Sequence, residues 1–177
     1  MPPTKSLYHS VLGEGFDTLP PILRGFHASL IGGEAKGTFS IAEGEGVLRH
    51  LAARLMRLPP SSEQVPVHLR VEVKGEQEYW VRRFGTQVLT TTQWSHGGLL
   101  IERAGILCFG FHLAPCEEGF RFEFRKCWLL GVLLPSVFAP KVNAEVWGTE
   151  AGWWVQVKVE VPLLGLLTQY DGEMFPQ

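Results

Sequence analysis

The sequence predicts an α+β fold in which a long, mostly antiparallel meander of strands curls into a barrel or half-barrel with N-terminal helices packed on it. Apolar residues recur at helical spacing over roughly the first third of the chain, whereas after Pro66 they alternate with polar residues at the period of two that strands show. About nine alternating segments follow one another with hairpin-length connections. So many strands with one polar face must curl in order to bury the other face.

The N-terminal third of the chain is expected to be mainly helical. Asp17 or Thr18 is the expected cap of the second helix, because Pro20 and Pro21 fit a first helical turn, where a missing N–H costs least. A single short strand is expected over residues 35–42. The apolar spacing predicts three helices, over residues 7–12, 22–30 and 46–58.

The remainder of the chain reads as strands separated by glycine-containing turns. The apolar run over residues 128–140 is too short to span a membrane, and we expect it to pack in the core rather than at a membrane interface. We expect one domain over residues 1–177, mainly helical over 1–60 and mainly antiparallel strands over 61–177. The predicted strands cover residues 67–73, 77–84, 86–94, 99–103, 106–113, 120–124, 142–147, 153–161 and 164–170.

Composition excludes several classes of protein. The 177 residues include 45% hydrophobic residues, enough for a sizeable core, so disorder is not the main state. Sixteen Lys and Arg against 18 Asp and Glu give a net charge of −2, which argues against nucleic acid and anionic membrane surfaces as partners. With no export signal and no long apolar stretch, we expect a cytoplasmic protein without stable membrane insertion. Three cysteines without a CxxC spacing indicate reduced thiols.

The chain carries no motif that assigns a reaction. Glycine-rich phosphate loops, zinc-protease and serine-hydrolase signatures and calcium loops are all missing from the sequence. The six histidines do not occur at metal-ligand spacing. The sequence therefore predicts no catalytic residue, no metal site and no cofactor.

A charged side chain on an apolar strand face gives the sharpest functional signal. Strand alternation places Trp80, Arg82 and Phe84 on one face. A buried guanidinium needs a partner, and Glu102, two strands further along, is the nearest one by topology. Either Arg82 lays its stem over the aromatic rings and enters a structural ion pair or reaches solvent, or it points into a cavity and fixes the polar group of a ligand.

Two further residues are candidates for contact with such a ligand. His27 lies near the mouth of the barrel if its helix caps it, although a lone helical histidine is more often structural. Tyr170 brings a hydroxyl into an apolar region. His112 is expected on a solvent face. We expect Arg82 to anchor an amphipathic molecule, such as a lipid-like acid, in a cavity lined by Phe84, Phe109, Phe111, Phe120, Phe122 and Phe124.

Five short segments together resemble an uncharacterised bacterial domain family of unknown function. It occurs alone or fused on the C-terminal side of saccharopine-dehydrogenase-like and other NAD-binding modules. The resemblance implies an accessory or substrate-presenting role beside an oxidoreductase partner and brings no cofactor or catalytic residue. It favours His27, Arg82, Glu102, Arg103, Tyr170 and Gly172 over other polar residues. The segments that carry it are LPPILRGFH at residues 19–27, WVRRF at 80–84, ERAG at 102–105, LP at 134–135 and GLLTQYDG at 165–172.

The prediction for function is non-enzymatic binding of a small apolar or amphipathic ligand in the barrel. One alternative is a protein-interaction or accessory module for an oxidoreductase, supported by Trp147 and Trp154 on the otherwise polar sides of their strands. A second alternative is a proton-transfer enzyme or isomerase that uses His27 or Glu102 in an apolar pocket. The predicted ligand-binding residues are Arg82, Glu102, His27, Trp80, Phe84 and Tyr170.

Overall fold

The computed structural model describes residues 5–50 and 58–177, and this part of the chain is mostly β. Two short α-helices and a 3-10 turn precede the strands, with α1 at Leu7–Leu12, the turn at Gly13–Phe16 and α2 at Pro21–His27. The strands are β1 Gly32–Glu43, β2 Ser62–Lys74, β3 Gln77–Phe84, β4 Gln87–His96, β5 Leu99–Ala104, β6 Leu107–Cys116, β7 Gly119–Leu129, β8 Val132–Leu133, β9 Lys141–Gly148, β10 Trp153–Val161 and β11 Gly165–Pro176.

The strands form a closed antiparallel barrel. The hydrogen-bonded order is β6-β5-β4-β3-β2-β1-β11-β10-β9-β7-β8, and a further pairing of β6 with β7 joins the two sides of this sheet. Ten strands therefore make the barrel wall, and β8 is a two-residue strand that pairs only with the end of β7. The predicted barrel is confirmed, because alternating faces on consecutive strands leave one apolar side that closure buries.

Strand β1 is longer than the short strand that the sequence predicts. It pairs with β2 on one side and with β11 on the other, so it links the first and last parts of the barrel wall. Gly172 permits the close approach of β11, since a Cβ at this position would lie 2.3 Å from both the Phe39 ring and the Thr38 carbonyl oxygen. This pairing brings the C-terminal strand, and Tyr170 with it, into the barrel.

The two described helices lie near the expected places, with different ends. Helix α2 begins at Pro21 and ends at His27, short of the predicted Leu30, and its N-cap is Pro20 without a side-chain cap. Neither Asp17 nor Thr18 caps it. The Thr18 hydroxyl instead donates to the Gly15 carbonyl oxygen at 2.9 Å. The predicted helix over residues 46–58 falls largely outside the described residues.

The helices cover one end of the barrel. Gly15 lies against Pro115 at the end of β6, and Gly148 at the end of β9 lies against Pro20. We call this the helix-covered end. The opposite end, called the distal end below, holds the turns at residues 85–86, 105–106, 130–131 and 162–164, the loop 134–140 and the described segments 44–50 and 58–61 between β1 and β2.

The expectation that residues 128–140 pack in the core is wrong for most of this run. Leu130, Val132 and Phe138 are 74%, 69% and 59% exposed. The run leaves the barrel wall at the end of β7, turns back through β8 and forms a loop, so most of its side chains have no second layer to pack against. Only Ala139 and Pro140 at its end are buried. The apolar hairpin and loop are therefore surface features of the distal end.

Candidate functional site

The interior of the barrel contains a cavity of about 170 Å³. A single buried water needs roughly 10–15 Å³ of such space, so the cavity has room for a small organic molecule. Its wall is mainly aliphatic and aromatic. All six side chains that the sequence singled out for ligand binding line this one cavity, namely Arg82, Glu102, His27, Trp80, Phe84 and Tyr170.

Arg82 and Glu102 form an ion pair at the cavity wall. The Arg82 Nη1 lies 3.2 Å from the Glu102 Oε1 and donates to the Thr91 Oγ1 at 2.8 Å. The two charged side chains are only 20% and 16% exposed. The guanidinium carbon also stands 4.9 Å from the centre of the Trp80 ring, within cation–π range. The predicted pairing of Arg82 with Glu102 and its place among aromatic rings are both present.

Strand register explains how residues on three strands meet. Trp80 on β3 pairs with Thr91 on β4, and Gln93 on β4 pairs with Glu102 on β5. Residues two apart on a strand lie on the same face of the sheet. Trp80 and Arg82 share the inner face of β3 in this way, and Thr91 and Gln93 share the inner face of β4. Glu102 therefore reaches Arg82 directly across the intervening strand β4, whose Thr91 hydroxyl accepts a second hydrogen bond from Arg82.

His27 lies at the helix-covered end of the cavity, packed among aromatic rings. Its ring centre is 4.0 Å from that of Tyr8 and 5.5 Å from that of Phe120. Burial lowers the pKa of His27 to about 3, because the charged imidazolium loses its hydration. At neutral pH the side chain is therefore an uncharged part of the cavity wall.

A second group of polar side chains at this end was not predicted. The Tyr8 hydroxyl donates to the Gln93 Oε1 at 3.0 Å, and the Trp80 Nε1 donates to the Glu78 Oε2 at 2.9 Å. Burial raises the pKa of Glu78 to about 7, against the lowering effect of the Trp80 hydrogen bond. Among the described residues the Gln93 Nε2 is a buried polar atom without a hydrogen-bond partner. Strand alternation gave a signal for Glu78, which shares its face with Trp80 and Arg82.

Tyr170 belongs to an aromatic cluster on another part of the wall. Its ring centre lies 5.4 Å from that of Phe84 and 6.0 Å from that of Phe39. Burial raises the pKa of Tyr170 to about 12, so its hydroxyl stays protonated at neutral pH. The hydroxyl can therefore donate a hydrogen bond to a molecule inside the barrel.

The predicted phenylalanine lining is nearly complete. Phe84, Phe109, Phe111, Phe120 and Phe122 line the cavity. Phe124 does not line it. It packs against the hydrophobic core, next to a register shift between the pairs Gly110–Lys126 and Phe111–Phe124 at which β7 has one extra residue, Arg125. Aliphatic residues of β9 and β10, which the sequence analysis did not name as lining, complete the wall with Val142, Ala144, Val146, Val155, Val157 and Val159.

The other candidate residues lie on the outer surface. Trp147 and Trp154 are a cross-strand pair of β9 and β10, half-buried and stacked with ring centres 6.1 Å apart. His112 is exposed, as expected, with its Nδ1 3.2 Å from the Glu123 Oε2. Arg103 is exposed as well.

Cys108, Cys116 and Cys127 are free thiols. In residues 5–50 and 58–177, no three His, Cys, Asp or Glu side chains are grouped so that they could hold a metal ion. No helix in these ranges has the length and apolar character needed to cross a membrane.

Comparison with known proteins identifies a family for the chain. A domain of unknown function, DUF4166, matches residues 19–174, which include every candidate cavity residue named from the sequence. No curated protein and no solved structure matches the chain. The resemblance to an uncharacterised domain family is confirmed, whereas fusion to NAD-binding modules stays a prediction. The barrel with its Arg82–Glu102 cavity therefore belongs to the DUF4166 family of domains of unknown function.

Proposed function

We propose that the barrel binds a small amphipathic molecule, with the apolar part in the cavity and the polar group at Arg82 and Glu102. The observation that carries this proposal is a mostly buried ion pair on the wall of an otherwise apolar cavity. Small-molecule sites typically combine an apolar lining with a few polar groups that fix orientation. The cavity has this composition.

The ion pair also indicates the kind of polar group. The positive charge of Arg82 is already balanced by Glu102, so an acid would have to bind beside a carboxylate. An uncharged group that both donates and accepts hydrogen bonds meets no such repulsion. It accepts from the guanidinium and donates to the carboxylate. We therefore favour a neutral hydroxyl, aromatic amine or amide head over the lipid-like acid that the sequence alone suggested.

Native mass spectrometry of the protein purified from its own host tests this proposal. We expect a bound small molecule on the wild-type protein and its loss in Arg82→Met. The matched control is Arg83→Met, because Arg83 is the next residue of the same strand and is exposed. The double variant Arg82→Met with Glu102→Gln has no unpaired carboxylate and should lose the small molecule as well. This result would show that the loss in Arg82→Met does not come from leaving Glu102 unpaired. Recovery of only ligand-free protein, with no heat of binding for naphthylamine in calorimetry, would defeat the proposal.

Two alternatives have a specific observation behind them. A proton-transfer enzyme or isomerase is supported by the presence of both His27 and Glu102 at one cavity wall. A chemical change in the bound molecule on incubation with the wild-type protein, absent in Glu102→Gln, would favour it. An accessory module for an oxidoreductase is supported by the outward-facing Trp147–Trp154 stack. This alternative would be favoured if the ligand-free wild-type protein bound an oxidoreductase and the variant Trp154→Ser did not.

A further inference from the structure

Exposed apolar side chains concentrate at the distal end of the barrel. Every exposed large hydrophobic side chain in the described part of the chain lies there, apart from Leu30, Ile31 and Phe175. Scattered exposed hydrophobic residues are normal on a soluble protein, but a cluster marks a contact surface. The distal end therefore has an unexplained apolar surface.

The most prominent part of this surface is the β7–β8 hairpin with the loop that follows it. Leu130, Val132 and Leu133 are 74%, 69% and 56% exposed, and Phe138 is 59% exposed. The loop is held in place by backbone hydrogen bonds from Phe138 and Ala139 to the Pro135 carbonyl oxygen, at 2.9 and 3.1 Å. The exposure thus belongs to an ordered apolar protrusion.

The backbone at the tip indicates that an apolar side chain is placed there at a cost. Leu130 and Gly131 form the two-residue turn, and both have positive φ, +50° for Leu130. Asn, Asp and Gly are the residues that favour this conformation, and a leucine strains it. The Leu130 N–H donates to the Ile106 carbonyl oxygen at 2.9 Å, which holds the tip beside the exposed β5–β6 turn.

The apolar surface is continuous with the cavity wall. Ile106 is followed by Leu107, which lines the cavity and pairs directly with Leu129 at the base of the hairpin. Ala104, on the other side of the same turn, lines the cavity as well. An apolar molecule that leaves the cavity at this end would meet apolar side chains before it met water.

We propose that the distal end docks on the surface of a lipid bilayer, with the β7–β8 hairpin and Phe138 inserted among the acyl chains. The inserted side chains sit on protruding turns rather than in a groove, and they are aliphatic or Phe. The Trp, Tyr and Arg anchors that dominate protein interfaces do not occur from Leu129 to Pro140, and Trp128 at the base of the hairpin is half-buried. Such a shape fits the boundary between headgroups and acyl chains.

Charge at the base of the protrusion fits the same surface. Lys126 and Lys141 are exposed and flank the run that contains the hairpin. Neither forms an ion pair with another residue in the described ranges. Long lysine side chains reach phosphate groups while the neighbouring apolar residues insert below them. Because the net charge of the chain is −2, apolar contact rather than charge supplies most of the affinity.

Docking places the cavity next to the acyl chains, so the bilayer is the source or the destination of the amphipathic ligand. This last step rests on the proposed function, whereas the docking itself does not. Peripheral docking of this kind agrees with the expectation that the chain does not insert stably across a membrane.

Co-flotation with phosphatidylcholine vesicles tests the docking. We expect the wild-type protein to float with the vesicles, also at high salt, and Leu130→Asn with Phe138→Ser to lower the bound fraction by about tenfold. The control combines Ile31→Asn with Phe175→Ser, since these residues are 87% and 40% exposed at the helix-covered end. We expect this control to float like the wild type.

Several results would overturn the docking proposal. These are no flotation of the wild type, equal flotation of the hairpin variant, or equal loss in the control. A dimer seen by light scattering that the hairpin variant abolishes, without vesicle binding, would assign the surface to a second copy of the chain. Calorimetry with naphthylamine in the absence of vesicles separates the two proposals, because the hairpin variant should keep its cavity affinity.

Discussion

The Nη1 of Arg82 lies 3.2 Å from the Oε1 of Glu102 across the full width of strand β4. Each charge is the principal partner of the other in a place where water has limited access. Removing one partner from such a pair leaves an uncompensated charge, whereas removing both leaves only packing to adjust. Removing one partner should therefore lower the free energy of unfolding more than removing both.

We expect Arg82→Met to lower the free energy of unfolding by about 2 kcal/mol, somewhat less than for a fully buried pair because both side chains are partly exposed. The double variant with Glu102→Gln should recover to within about 1 kcal/mol of the wild type. Urea denaturation of the two single variants and the double variant measures this coupling. Additive losses in the double variant would show that the pair contributes no interaction energy.

The ion pair also predicts a selectivity that can be reversed. Naphthylamine and naphthoate have the same ring system with a neutral or an anionic head. Calorimetry should show that the wild type prefers the amine, and that Glu102→Gln raises the affinity for the acid by about tenfold because Arg82 is no longer balanced. Glu123→Gln on the outer surface is the control and should leave both affinities unchanged. A wild-type preference for the acid would contradict the neutral head group.

Much of the site followed from the sequence because strand alternation is a strong local signal. The bounds of β3 and β10 are those expected, and the face shared by Trp80, Arg82 and Phe84 follows from the same period. The Arg82–Glu102 contact could be inferred because consecutive hairpins place β3 and β5 on either side of β4. Side chains on the same face of these two strands can therefore meet across β4. Local pattern and tertiary structure agree in this region.

Contacts between distant segments could not be inferred in this way. Tyr8 reaches Gln93 on β4 only because α1 packs across the helix-covered end, and no periodicity links these two residues. The apolar run at residues 128–140 has the composition of a core segment, and periodicity alone does not tell a buried run from an exposed one. Its exposure depends on where the barrel closes, which is a property of the whole sheet.

The buried histidine predicts a loss of stability in acid. The pKa of His27 falls from an ordinary 6.5 to about 3 in the folded protein because of burial. Between these values the unfolded chain binds a proton that the folded chain does not, so the free energy of unfolding decreases as the pH falls from 6.5 toward 3. His27→Phe keeps an aromatic ring among the neighbouring aromatic side chains. It should reduce the dependence of the free energy of unfolding on pH between about 3 and 6.5. The midpoint of urea denaturation, measured at several pH values in this range, checks the prediction. If the midpoint of His27→Phe changed with pH as steeply as that of the wild type, His27 would not be the cause of the loss in acid.

Glu78 predicts a pH effect of opposite sign. Burial raises its pKa from 4.5 to about 7, so between these values the folded protein holds a proton that the unfolded chain has lost. The free energy of unfolding therefore decreases as the pH rises from 4.5 to 7 and is level above that range. Glu78→Gln keeps an oxygen acceptor for the Trp80 Nε1. Relative to the wild type, it should gain stability as the pH rises through this window, and a constant difference between pH 4.5 and 8 would contradict the assignment.

The strained turn at the distal end predicts a substitution that stabilises the fold while it weakens membrane docking. Leu130 has a φ of +50° and a side chain that is 74% exposed, so Leu130→Asn removes almost no packing and places a residue that tolerates this conformation. We expect the free energy of unfolding to rise by about 0.5–1 kcal/mol in urea denaturation. Leu133→Asn, in the exposed strand β8 of the same hairpin, has no such strain to relieve and should bring no gain. If Leu130→Asn were neutral or destabilising, the leucine would have no conformational cost, and the argument that the apolar tip is retained for contact with lipid would lose one of its supports.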